Sequence, residues 1–182
     1  MKWKIYYFYL MKPFIYSLIF LLSASSSDGQ SLKKYPISGS GCSAYFFCDP
    51  GAFALDKSPD SSDVYTGECA TDDISYGIIC VKLKEQISDM QTSEDVLITY
   101  LDYLKKSLEI TSAAGYGKGH RLKNKENTRG VIDYWKDKAG ENWKVKGWTD
   151  GRYICCMYAY AKKDLPETKV NVFLEGLVLP GM

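Results

Sequence analysis

The 182-residue chain contains one histidine, His120, and no Cys-x-x-Cys pair. It also lacks G-x-x-x-x-G-K-[ST], H-E-x-x-H and G-x-S-x-G. These absences exclude the common zinc templates, the P-loop and the nucleophile elbow, each of which needs its residue types at fixed spacing. Any histidine-dependent chemistry must use His120 alone. An excess of one charge sign is missing too, with 23 Lys+Arg against 22 Asp+Glu. Finally, no apolar run approaches the roughly 20 residues that span a bilayer as a helix.

The uncharged apolar run Phe14 to Leu22 comes after Lys2, Lys4 and Lys12 and precedes the small residues Ser23-Ala24-Ser25. Positive, apolar, then small is the order of a secretory signal peptide. We therefore expect residues 1–27 to be a signal peptide and the protein to be secreted or periplasmic, that is, extracytoplasmic. Its removal takes away three lysines and no acid, leaving 20 bases against 22 acids. That balance argues against nucleic acid or an anionic membrane as a bulk-charge partner. No membrane span is expected after the signal. The exported remainder is long enough for one domain with a core.

All six cysteines (Cys42, Cys48, Cys69, Cys80, Cys155, Cys156) fall in the exported part. An even count in an oxidising compartment favours disulfides. Cys42 and Cys48 are spaced to close a small loop, and Cys69 and Cys80 flank the Thr71-Asp72-Asp73 turn as a strand staple. Cys155 and Cys156 are adjacent within a β-prone run, where neighbouring side chains point to opposite faces. A vicinal bridge would break that pleat. One of the two is expected to pack in the core, and the other to pack as well or to tie the strand to an N-terminal cysteine.

Residues 28–44, rich in Ser and Gly, read as a flexible lead-in to a single domain over 45–182. Short β-prone runs occupy Tyr45–Cys48, Ala52–Leu55, Val64–Cys69 and Tyr76–Lys84, punctuated by turn residues. Leu97, Leu101, Leu104 and Leu108 form one helical stripe, with Ser93 as the expected N-cap and Lys105 and Lys106 suiting the C-terminal dipole. The segment from Ala113 to Gly130 reads as a long, basic, Gly-rich loop. A three-strand meander comes next, with Trp143 and Val145 on one face of its middle strand and Lys144 and Lys146 on the other. Asp-Gly at 150–151 marks its hairpin. A last helix has Asp164 as expected N-cap and Pro166 in its first turn, ends near Gly176, and leaves Leu177 to Leu179 extended.

Strands, helix, meander, helix imply an α+β fold: an antiparallel sheet of about six strands with two helices packed on one face. This element order over residues 45–182 resembles the PsbP-like α+β sandwich, whose members include exported binding and accessory domains. The cysteines and the Gly-rich loop lie outside that resemblance. It implies a domain that binds a ligand or partner without catalytic machinery.

Two stretches offer sites. In the Gly-rich loop, Lys118, His120 and Arg121 surround glycines whose backbone N–H groups suit an anion. A solvated loop is the plainer reading of that composition. On the meander, Lys146, Trp148 and Arg152 form a candidate patch with Trp148 partly exposed; a buried Trp148 would be ordinary core. The Asp56, Asp60 and Asp63 cluster lacks the calcium-loop pattern and is explained by turn formation. No metal and no cofactor are implied. The chain is thus expected to be an exported binding domain for a protein, glycan or small molecule. The alternatives are a secreted hydrolase or nuclease using His120 as general base, and a structural cell-envelope protein.

Overall fold

A computed structural model describes residues 31–182, so the expected signal peptide over 1–27 lies outside the described residues. The chain forms β1 (Lys33–Pro36), β2 (Ser43–Phe46), β3 (Ala54–Lys57), β4 (Asp63–Thr71) and β5 (Ile74–Lys82) before its long helix. That helix, α1 (Met90–Ser107), leads into β6 (Ile110–Ala113), β7 (Gly117–His120) and the meander β8 (Arg129–Asp137), β9 (Asn142–Thr149) and β10 (Tyr153–Ala161). Helix α2 (Glu167–Leu174) and β11 (Leu177–Val178) end it.

The fold is α+β, built on an eight-stranded sheet rather than one of about six strands. Its order is β3-β4-β5-β10-β9-β8, and β6 and β7 both pair with β8. Every pairing in this sheet is antiparallel. The two added edge strands come from the segment between α1 and the meander, most of which the sequence suggests is a loop. A second sheet, β1-β2-β11, holds the extended C-terminus against the N-terminal hairpin.

That hairpin corrects the flexible lead-in. Residues 33–46 form two strands, and Ile37, Cys42 and Ala44 are buried. The Ser and Gly residues make a tight turn instead: Gly39 and Gly41 take φ of 81° and 84°, and the Ile37 amide donates to the Cys42 carbonyl at 2.9 Å. Positive φ is where glycine is least strained, so a turn can carry the same composition as a linker.

The helices lie on opposite faces of the large sheet, not on one. Leu97, Leu101 and Leu104 of α1 pack with Val131, Trp135, Trp143, Val145, Ile154 and Cys156. Val170, Phe173 and Leu174 of α2 pack with Tyr76, Ile78, Trp148, Cys155 and Met157. The reason is in β10, where all but one residue is buried. A strand apolar on both sides needs a cover on both, and each fully buried Leu or Phe contributes about 1.5–3 kcal/mol.

Helix α1 starts earlier than expected. Asp89 is its N-cap, accepting from the Thr92 amide at 2.7 Å. Ser93 sits inside the first turn, buried, with its hydroxyl 2.7 Å from that of Thr149. Lys105 and Lys106 do occupy the last turn. In α2 the N-cap position falls on Pro166, without a side-chain cap, rather than on Asp164.

Two disulfides are present, Cys48–Cys69 and Cys80–Cys155, and neither is the expected Cys42–Cys48 or Cys69–Cys80 bridge. Register decides the second, because Cys155 of β10 lies directly opposite Cys80 of β5. Cys69 instead pairs in register with Tyr76, which leaves it for Cys48. Cys156 faces the α1 side, buried and free, as is Cys42. Burial pushes the Cys156 thiol well above its ordinary pKa and the Cys42 thiol up to about 11. Such thiols pack and do not react.

Candidate functional site beside the second helix

Alternation along β9 puts Lys144, Lys146 and Trp148 on the α2 face, as the sequence implies. There the two lysines are nearly buried. The Lys144 side chain is 5% exposed and its Nζ lies 3.3 Å from Glu167 Oε1; the Lys146 side chain is 9% exposed and paired with Glu175. Both carboxylates project from the margin of α2 and stay open to water, at 76% and 47% exposure. Aromatic faces complete the surroundings of each cation. Lys144 Nζ stands 5.1 Å from the Tyr134 ring centroid, and Lys146 Nζ 4.7 Å from that of Trp148. Cation–π contacts of this kind strengthen as water is withdrawn.

Trp148 is buried at 1% exposure, which corrects the expected edge position. Its indole N–H donates to the Leu174 carbonyl at 3.0 Å, and its ring lies across Gly130 of the neighbouring strand, where any Cβ would overlap it. Trp148 therefore anchors α2 and forms the floor beneath Lys146, and is no open platform.

His120 arrives from the edge. It pairs with Gly130 at the end of β7, which brings the imidazole beside the Lys146–Glu175 pair. Partial burial lowers its pKa below the ordinary 6.5, and the Lys146 cation lowers it further against an opposing pull from Glu175. At neutral pH the ring is uncharged and one nitrogen is an acceptor. Among the described residues no hydrogen bond orients the ring, so the base-and-orienter pair of a triad is not assembled.

Of the residues singled out in the sequence, the fold brings together His120, Lys146 and Trp148. It leaves the others apart. Lys118 and Arg121 are exposed and form no ion pair among the described residues. Arg152 turns away at the hairpin, donating to the Lys84 carbonyl at 3.1 Å. Sequence reasoning missed Glu167, Glu175 and Tyr134. The two acids stand eight residues apart on one helix margin, a spacing that shares a face, but only the packing of α2 on β9 and β10 shows which strand they meet. Among the described residues, no three His, Cys, Asp or Glu side chains gather as a metal set, and no helix is long and apolar enough to cross a membrane.

The arrangement can hold an anionic group. Each lysine is largely desolvated, while its carboxylate is at the surface and in contact with water. An incoming anion that replaces Glu175 on Lys146 meets a positioned cation with the neutral His120 ring nearby, while the exposed Tyr134 ring stands beside Lys144. Comparison with known proteins adds no relative, because no family model and no curated protein matches the chain.

Proposed function

We propose that this is an exported binding domain without catalytic machinery, and that it takes an anion-bearing ligand on the strip beside α2. The observation that carries this reading is the placement of two nearly buried lysines under surface carboxylates, with His120 alongside. A cation held by an exposed partner keeps its geometry and loses little when that partner is displaced. The two disulfides agree with export into an oxidising compartment. The element-order resemblance to PsbP-like domains points to the same class of function.

Calorimetric titration of the exported protein with acidic oligosaccharides, against neutral ones of equal length, tests this. The expected result is saturable binding of the acidic series alone, weakened at least ~10-fold in Lys146→Met, a loss of about 1.4 kcal/mol. Equal binding of the neutral series, or no effect of Lys146→Met, would sink it. The rival hydrolase or nuclease reading predicts turnover that His120→Ala abolishes while the melting curve is unchanged.

A further inference from the structure

On the face of the sheet opposite the strip beside α2, a single carboxylate is gripped by two phenols. Glu68 of β4 lies opposite Gly77 of β5, and Gly77 lies opposite Tyr158 of β10. Because position 77 has no side chain, the Tyr158 ring can cross it; a Cβ there would overlap the ring. The Tyr158 hydroxyl thereby reaches across β5 and donates to Glu68 Oε2 at 2.9 Å. Tyr160, two residues on, donates to Glu68 Oε1 at 2.9 Å.

The rings beside this carboxylate are ordered into a wall. Trp143 stacks on Tyr160 with centroids 4.1 Å apart and planes 13° apart, and stands 5.4 Å from Tyr158. The Trp143 indole N–H is occupied by Asp137 Oδ2 at 2.9 Å, so its orientation is fixed. Trp143 and Tyr158 are nearly buried, Tyr160 is half-buried and Glu68 is exposed.

The charged groups that act on Tyr160 are the carboxylates of Glu68 and Glu141. Glu68 forms no ion pair among the described residues. Burial raises the Tyr160 phenol above its ordinary pKa, a hydrogen bond with the Ser75 side chain opposes that rise, and the carboxylates of Glu68 and Glu141 add to it. The nearby cations are Lys162 and Lys163, which line a shallow open depression of about 320 Å³ with Asp73 and Glu141. Lys163 is taken by Asp73 at 3.3 Å.

We propose that Glu68 and Tyr160, with Trp143 backing the Tyr160 ring, form a site for an organic cation, an alkylammonium or guanidinium group. Each oxygen of Glu68 accepts one neutral donor and keeps lone-pair directions for a second, so the carboxylate is positioned without being neutralised. Aromatic faces attract the same charge through their quadrupole, and more strongly where water is partly excluded. A neutral polyol would gain the hydrogen bonds but not the attraction between full charges. The cation can be a free amine or the side chain of a Lys or Arg on a polypeptide. These share the recognising chemistry and differ in what surrounds it.

The test tracks the Trp143 indole N–H and the Glu68 and Tyr160 amides by two-dimensional NMR on the disulfide-intact exported protein. The probes are spermidine, N-acetyl-lysine amide and N-acetyl-arginine amide, with sodium chloride and glucose as controls. Saturable shifts at these three groups with a cationic probe, at least ~10-fold weaker in Glu68→Gln, are expected. Spermidine alone saturating identifies a free amine; the amino-acid amides saturating identifies a polypeptide side chain. Shifts that match sodium chloride, saturation by glucose, or an unchanged affinity in Glu68→Gln overturn the proposal. Glu68→Gln keeps the shape and the acceptor oxygen, and an unchanged melting temperature in that variant separates lost recognition from lost fold.

Discussion

The two faces of the large sheet bury charge with opposite sign. Beneath α1 the buried group is an acid. The Asp133 side chain is fully buried, and it accepts from the Trp135 indole at 2.6 Å, the Gly115 amide at 2.9 Å and the Tyr134 amide at 2.8 Å. Its cation, Lys105, stands 3.1 Å away at 19% exposure, with its Nζ 4.1 Å from the Tyr116 ring centroid. Beneath α2 the buried groups are the cations Lys144 and Lys146, and their acids are outside. The first arrangement is closed, since both oxygens of the acid meet fixed donors. The second is open, since each cation is paired with a solvent-exposed surface partner. A closed network specifies structure and an open one is available for exchange, which is why the binding reading rests on the α2 side.

The largest expected effect breaks the closed face. Asp133→Ala leaves the Trp135 indole and the Gly115 amide without their acceptor and Lys105 with only the exposed Asp102 carboxylate, 3.4 Å away, and we expect a loss of about 3–5 kcal/mol in urea unfolding. Hydrogen exchange at Gly115 should quicken, because that bond pins the glycine-rich segment to the sheet edge. Next come the neighbouring cysteines, which divide between the faces. Removing the Cys80–Cys155 bridge by a double Ala substitution should cost about 2–4 kcal/mol, and Cys156→Ala about 1 kcal/mol from lost packing alone. Unfolding midpoints under non-reducing conditions check both, and equal losses would contradict the two-face division.

The matched lysine pair is the sharper test. Lys105→Met removes a charged donor from an acid that cannot leave, for a loss of about 2 kcal/mol. Lys146→Met frees a carboxylate that can return to water, so its cost should stay within about 1 kcal/mol. If the two cost the same, the distinction between closed and open faces fails.

The smallest effect is the pH response of His120. Its folded pKa lies below the ordinary 6.5, so the unfolded chain takes up a proton that the folded chain resists. That contribution to stability is fully present above pH 6.5 and is lost as pH falls through 6.5 toward the lower folded value. The melting temperature of the native protein should therefore drop more between about pH 7.5 and 5.5 than that of His120→Gln. A steeper drop in the variant would reverse that sign.

Much of this was legible in the residues. The alternation of Trp143 and Val145 against Lys144 and Lys146, and of Cys155 against Cys156, appears in the sheet as expected. The α1 stripe, the meander and the extended C-terminus also arise from periodicity and turn residues. The misplaced parts share a cause. Ser and Gly at 38–41 serve turns as well as linkers, and Ser93 can cap a helix or bond inside one, so composition cannot choose between them. The buried Trp148 and the opposed helices depend on what lies above a strand, which no local pattern contains.

By itself, then, the sequence determined the period of the long helix and of the meander strands, the side of those strands on which each residue falls, and the absence of the common catalytic and metal patterns. Those depend on bond geometry and on neighbours a few residues away. Only the tertiary structure decided which cysteines meet, which helix covers which face, and that His120 stands by Lys146 while Glu68 is held by Tyr158 and Tyr160. Those depend on strand order and register, where contacts form between residues as far apart as Glu68 and Tyr158 and a shift of one residue reverses every side chain.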